Sequence, residues 1–572
     1  MPPDRASRRF ATSPTGRWHD RARVSQVLVA GALLAAPAAV HAVSAIDHGR
    51  RSLLQAGCAL PLLGLGAMAY AAGRDTIVTT TRHGQVRGER HRDVNVFRGI
   101  RYGADTAPRR FMPPVAPRPW NGIANALDYG HASPQPGSGE ATSEDCLFLN
   151  VWTPGLSAAA RRPVLVYIHG GAYASGSGAS PLYDGTHLAG RGDVVVVTLN
   201  HRLNLFGYLY LDRIARTEAL ADGGNCGQLD LVLALEWVRD NIASFGGDPG
   251  NVTLFGQSGG GAKIATLMAM PAAAGVFHRG WTMSGQQVTA SGPLNATTRT
   301  RALLDALHLP EARVQELRSM PVERLLEAMQ ATDPIIGRGR LYFGPVLDER
   351  SLRRHPFYPD APPLAARLPM IIGNTRGETR NLIGRGDPTT FSLGWDTLAE
   401  RLGGELRVDI QPELVVTTYR RLYPHYSPSE VFFAATTAAR SWRGAIIELE
   451  ARAAQPADTW AYQLDWPSPV DGGRWGACHG LDIPLLFGTL NAEGSLTGAG
   501  TEAVAVSQAM GDSLLAFARS GNPNHASLPQ WRPYRLDRRS TMVFDRSAHP
   551  VDDPRGDERR LFEKVPFIQQ GT

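Results

Sequence analysis

The feature that most restricts the fold is a recurring pattern: a short apolar run, a glycine-rich loop, then a segment with helical apolar spacing. Residues 164–168 and 194–199 are apolar almost throughout, as expected of strands buried on both faces. A sheet covered on both faces has parallel strands joined by crossover helices, so the pattern implies an α/β fold, with a mostly parallel central sheet and helices on both faces. Leu229, Val232, Leu233, Leu235, Trp237, Val238 and Ile242 fall at helical spacing, with Gly246-Gly247 as a stop. Further strands are expected at 252–255, 369–372 and 459–462. In such a sheet the working groups lie beyond the carboxyl ends of the strands.

One of those ends is chemically suggestive. The expected strand at 252–255 runs straight into Gly256-Gln257-Ser258-Gly259-Gly260-Gly261. A Gly-x-Ser-x-Gly between a strand and a helix makes a turn so tight that small residues must flank the serine, whose hydroxyl is thrown out above the sheet. Gly259 then offers a backbone N–H at the start of a helix, where the dipole favours an oxyanion. A serine hydroxyl is a poor nucleophile at neutral pH, so it needs a base, and the base needs an orienting acid.

Longer stretches carry a resemblance. Residues 245–260 (Phe-Gly-Gly-Asp-Pro-Gly-Asn-Val-Thr-Leu-Phe-Gly-Gln-Ser-Gly-Gly) and 144–154 (Glu-Asp-Cys-Leu-Phe-Leu-Asn-Val-Trp-Thr-Pro) resemble the two signatures of the type B carboxylesterase family, the cholinesterase-like α/β-hydrolases. Phe97-Arg98-Gly99-Ile100, Asn200-His201-Arg202 and Ser520-Gly521-Asn522-Pro523-Asn524 are also similar to family stretches. The resemblance covers nearly all of residues 76–572 and implies an α/β-hydrolase fold and a serine hydrolase that cleaves carboxylic esters through an acyl-enzyme. By the same resemblance His479 is the catalytic histidine and Glu378 the triad acid, ahead of Asp348 and Asp482. The oxyanion donors are the N–H groups of Gly171, Ala172 and Gly259, and Ser284 sits beside the triad. His169 is read as structural. No cofactor and no metal are implied.

The chain departs from the family in two places. Many relatives pair the cysteine at position 146 with one upstream, where Ser133 stands here; the segment 133–146 is short and has no tryptophan, unlike the choline-binding loop of cholinesterases. Gln257 occupies a position that is Glu in many relatives, which removes one attraction for cationic substrates. An odd set of three cysteines after position 72, Cys146, Cys226 and Cys478, leaves at least one free thiol per monomer unless chains are cross-linked. The expected partner is a small-molecule ester. Alternatives are a carbamate, lactone or polyester hydrolase using the same serine, or a non-catalytic interaction module; the presence of Ser258, Glu378 and His479 argues against the last.

The formal charge of +6 invites a nucleic-acid reading. Yet all basic residues except Lys263 and Lys564 are arginines, spread along the chain, which fits codon bias better than phosphate contacts. No Gly-Lys-Ser/Thr phosphate loop and no Cys-x-x-Cys or His-Glu-x-x-His metal pattern occurs. Residues 1–72 hold 8 Arg and 3 Asp, so the remainder carries a net charge of only +1, and no nucleic-acid partner is expected. In that leading segment, Arg50-Arg51 before the uncharged stretch 53–72, with Ala69 and Ala71 at its end, resembles a twin-arginine export signal over 49–72. A second uncharged stretch, 24–46, is explained if the true start lies near Val43 and residues 1–42 are untranslated. The expected organisation is therefore an export region over 1–72 and one hydrolase domain over 73–572. A periplasmic or secreted location follows, with no stable membrane anchor after signal removal; the alternative is an amino-terminal anchor.

Overall fold

Side chains alternate between the two faces of a strand, so a continuously apolar strand needs a core on each side. That condition is met in the computed structural model, which describes residues 75–569 and 571. The export-like segments proposed within 1–72 lie outside the described residues. The strands are β1 (Thr76–Thr81), β2 (Gly84–His91), β3 (Val94–Arg101), β4 (Ile123–Asn125), β5 (Phe148–Thr153), β6 (Arg162–Ile168) and β7 (Val195–Leu199). They continue with β8 (Gly247–Gln257), β9 (Arg279–Met283), β10 (Met370–Thr375), β11 (Thr459–Leu464), β12 (Ser540–Phe544) and β13 (His549–Asp552). All join one sheet in the order β1-β2-β3-β5-β7-β6-β8-β9-β10-β11-β12-β13, with β4 beside β2. From β7 to β12 every neighbouring pair is parallel, while β1-β2-β3-β5-β7 and β12-β13 pair antiparallel.

The alternation divides the core. Val164, Val166, Ile168, Leu254, Met370 and Ile372 pack on one side with the helices Cys226–Asn241 and Arg443–Ala453. Leu165, Tyr167, Phe255, Ile371 and Tyr462 pack on the other, beneath Asp482–Phe487 and Thr501–Ser520. The expected strands all form. β8 begins earlier than its apolar run suggests, because Gly247 pairs with Arg162 across an irregularity in the β6 ladder before Val164 meets Val252.

The helix Cys226–Asn241 forms with its expected apolar residues against the core, and buries more than that face. Leu229 and Leu233 are only partly buried, whereas Asp230 and Leu231 are fully buried. The reason is a buried ion pair: Arg202 donates from Nε and Nη2 to the Asp230 carboxylate, and its Nη1 donates to the Met112 carbonyl. Removing one member of such a pair costs about 3–5 kcal/mol, because the other charge is left buried. The three cysteines Cys146, Cys226 and Cys478 are buried free thiols. Ser133 lies against the Cys146 thiol, so the place of a half-cystine is taken by a hydroxyl. Among the described residues no helix is long and apolar enough to cross a membrane.

Candidate active site

The turn after β8 is built as the glycine pattern requires. Ser258 has φ 57° and ψ −126° between β8 and the helix Gly259–Leu267, a conformation that costs a non-glycine residue on the order of 1–3 kcal/mol. The turn is fixed from both sides: the Ser258 N–H donates to the Met283 carbonyl at 2.7 Å, and its carbonyl accepts from Ala262 N–H at 3.1 Å. A Cβ on Gly260 would lie 1.9 Å from the Ile168 carbonyl oxygen, and one on Gly259 would lie 2.1 Å from that of Ala172. Only glycine fits at either position, so the helix start is pressed against the loop that follows β6.

That loop turns through Gly171 (φ 81°) and Ala172 (φ 52°). Among the described residues no acceptor takes the N–H of Gly171 or Ala172. The Gly259 N–H is at the first position of its helix, where no intrahelical partner exists. The loop is held from behind by Lys263, whose Nζ donates to the His169 carbonyl at 3.0 Å. This lysine is fully buried, and burial pulls it down to about 7. His169 is buried, stacks on His201 with centroids 4.8 Å apart, and bonds the Gly170 carbonyl through Nδ1. Burial, with Lys263 nearby, pulls it down to about 3, so it is neutral. His169 therefore belongs to the support of the loop.

Glu378 follows β10 and is fully buried. Its Oε1 accepts from Ser284 Oγ at 2.6 Å, from the Thr375 N–H at 2.8 Å and from Asn374 Nδ2 at 3.3 Å. Its Oε2 lies 2.5 Å from His479 Nδ1. Burial opposes ionisation, but the His479 ring against it, with the hydrogen bonds from Ser284 and Thr375, outweighs it and holds the carboxyl below its ordinary value. With Nδ1–H donating to this carboxylate, His479 Nε2 is left with a lone pair. Asn381 Nδ2 anchors the His479 carbonyl at 2.7 Å.

The rival acids are engaged elsewhere. Asp482 accepts from Tyr462 OH at 2.8 Å and is pushed up to about 6 by burial and the Glu378 charge. Asp348 accepts from Asn225 and, within its own loop, from Ser351 and the N–H groups of Arg350 and Leu352.

Ala172, Ser258, Gly259, Ser284 and His479 line one cavity of about 170 Å³. Glu378 and Gln257 lie buried behind its wall, and Gly171 sits one residue before Ala172 on the exposed side of the loop. One contact has no counterpart in the sequence analysis: Gln257 Nε2 is 3.1 Å from His479 Nε2. The amide thus donates to the lone pair that a serine proton would use, and among the described residues no hydrogen bond joins Ser258 to His479. Such bonds often tighten only when substrate is present. The sequence also did not single out Tyr342, Leu382, Arg440 and Ser441, which form the far wall. Lys263 did carry a signal, as one of two lysines in the chain and the fifth residue of the helix Gly259–Leu267. Among the described residues no group of three or more His, Cys, Asp or Glu side chains is arranged to hold a metal ion.

The model of the carboxylesterase family matches residues 74–560. The chain belongs to the carboxylesterase family. It is 34% identical over 499 residues to the para-nitrobenzyl esterase of Bacillus subtilis, covering 84% of this chain and 98% of that one. It is 32% identical to the phenmedipham hydrolase of Pseudarthrobacter oxydans, over 83% and 97% of the two chains. Among solved structures, a carboxylesterase of Geobacillus stearothermophilus superposes with a TM-score of 0.75 at 39% identity, covering 85% of this chain and 99% of that one. The fold is that of an α/β-hydrolase and the protein is a carboxylic ester hydrolase acting on small-molecule esters.

Proposed function

We propose that Ser258, His479 and Glu378 form the catalytic triad of this esterase and that Gly171, Ala172 and Gly259 form its oxyanion hole. The observation that carries the reading is the 2.5 Å contact of Glu378 Oε2 with His479 Nδ1, made behind a cavity that His479 lines together with the strained Ser258 turn. Ser258 Oγ attacks the ester carbonyl while His479 Nε2 takes the hydroxyl proton; for this the bond from Gln257 gives way to one from Ser258. The carbonyl oxygen becomes an oxyanion and draws on the three N–H groups, two of which have no other acceptor among the described residues. The C–O bond then breaks, the alcohol leaves with the proton from His479, and the acyl group stays on Ser258. Water repeats the attack and releases the acid. Glu378 keeps its negative charge throughout and stabilises the imidazolium formed in each half-reaction.

Ser258→Ala removes the attacking oxygen and nothing that holds the turn, since the bonds of residue 258 to Met283 and Ala262 are made by its backbone. It is expected to abolish turnover of para-nitrophenyl butyrate with an unchanged melting temperature. Activity within tenfold of the parent would overturn the assignment. We further propose export before the chain functions, on the support of the Arg50-Arg51 pattern ahead of the family region that begins at residue 74. Amino-terminal sequencing of native protein would show a start just after Ala71, and a mature chain retaining Arg50 would contradict export.

A further inference from the structure

A second, larger cavity of about 550 Å³ adjoins the catalytic one, and the two share Tyr342 and Gln569 as a common wall. Its lining is two-sided. Ile335, Ile336 and Ile568 give it an apolar floor, while Arg338, Arg340 and Arg407 bring three guanidinium groups against one carboxylate among the described residues, that of Glu405. That carboxylate is already used: Arg440 Nη1, from the catalytic cavity, donates to Glu405 Oε2 at 2.9 Å. The pair therefore joins the two cavities. Arg440 reaches this place on a π-helical turn, Ala438–Trp442, inserted between the helices Pro428–Thr437 and Arg443–Ala453. Such insertions re-aim side chains and recur at functional sites.

The charge balance is uneven. Arg407 is half-buried, makes no ion pair among the described residues, and its Nε is buried without a hydrogen-bond partner there. Arg338 spends one N–H on the Gly404 carbonyl at 2.8 Å, and both it and Arg340 are otherwise open to the cavity. Burial, and then the charge of Arg407, pull Arg440 down to about 10, the direction expected of a cation with too little counter-charge. Three guanidinium groups beside one carboxylate that is already paired with Arg440, over an apolar floor, fit the end of a chain that is apolar along its length and anionic at its tip.

We propose that this cavity is a subsite for a carboxylate borne by the ester, remote from the bond that is cleaved, so that the preferred substrates are anionic esters such as half-esters of dicarboxylic acids. The proposal rests on the hydrolase reading of Ser258. The substrate chain runs from Ser258 past Tyr342 and Gln569, and its carboxylate takes the free N–H groups of Arg407 and Arg338.

The test compares kcat/KM for matched pairs that differ only in a terminal methyl against a terminal carboxylate. On the acyl side the pair is para-nitrophenyl hexanoate and mono-para-nitrophenyl adipate, lengthened in steps to decanoate and sebacate. On the alcohol side it is hexyl acetate and ω-acetoxyhexanoate. The expected result is a preference for the carboxylate on one side, reduced about tenfold by Arg407→Gln and by the exposed-site variant Arg338→Gln. Arg420→Gln removes a charge stacked on Trp395, outside both cavities, and should leave the ratio unchanged. A ratio that stays at the parental value in both cavity variants, or falls equally in Arg420→Gln, would overturn the subsite. If the parent cleaves none of these esters, the hydrolase reading fails instead. Calorimetric binding of monomethyl adipate to Ser258→Ala then reads the subsite directly, with about tenfold weakening by Arg407→Gln expected and undiminished binding contradicting it.

Discussion

Replacing Glu378 by Gln isolates what the carboxylate does, because the change is nearly isosteric and the surroundings dictate how the amide must sit. Oε1 accepts from Ser284, Thr375 and Asn374, and Oε2 accepts from His479. A glutamine can put its oxygen in only one of those places. The Ser284 hydroxyl can rotate and the Asn374 amide can turn, but the Thr375 N–H is backbone and cannot. Setting an NH₂ against it leaves two buried donors facing each other, at about 1–3 kcal/mol for each unsatisfied group. The amide oxygen therefore stays with Thr375 and the NH₂ faces His479 Nδ1. His479 must then accept at Nδ1 and carry its proton on Nε2, where it cannot take one from Ser258. Loss of the correct tautomer in a triad is worth roughly 10⁴ in kcat, or about 5.5 kcal/mol in the barrier. The assay is steady-state hydrolysis of para-nitrophenyl butyrate, with thermal melting as the control for folding. A folded Glu378→Gln protein retaining more than a tenth of the parental kcat would refute the tautomer argument.

Two further outcomes follow from buried polar groups near the site. Gln257→Glu places a carboxylate against His479 Nε2 in place of the amide 3.1 Å away; it should favour the imidazolium and move the acid limb of the kcat/KM profile to higher pH, and a profile that coincides with the parent's would show that the contact does not matter. Glu448 is fully buried, accepts from the Gln287 N–H at 2.7 Å, and is pushed up to about 8 by burial. Because its folded value lies above the ordinary carboxylate value, its contribution to stability is fully present below about pH 4.5 and is lost as pH rises through about 8. Glu448→Gln should therefore flatten the decline in melting temperature between pH 5 and 9, and an unchanged slope would contradict this.

What could be read from the sequence was local, and what could not was distant. The strand-turn-helix at Ser258 is legible because steric need imposes glycine within two residues of the serine. The parallel sheet is legible because strands buried on both faces lose their polar positions. Glu378 and His479 lie in loops among glycines and arginines with no periodicity, and only resemblance to a family could single them out. The helix Cys226–Asn241 is legible from its apolar spacing, but the burial of Asp230 within it is not, because its partner, Arg202, comes from another segment. The contacts of Gln257 with His479 and of Lys263 with the His169 carbonyl likewise depend on segments that meet only in the fold. So does the arginine-lined cavity, which takes residues from three widely separated stretches.

The central claim is that Ser258 is the nucleophile. The most direct measurement is reaction of the folded protein with a fluorophosphonate, followed by peptide mass spectrometry and parallel assay of residual esterase activity. The account predicts one label per chain, on the peptide containing Ser258, with activity lost in step with labelling and no label on Ser258→Ala. Inactivation accompanied by a label on any other residue, or full activity in a protein stoichiometrically labelled at Ser258, would contradict it.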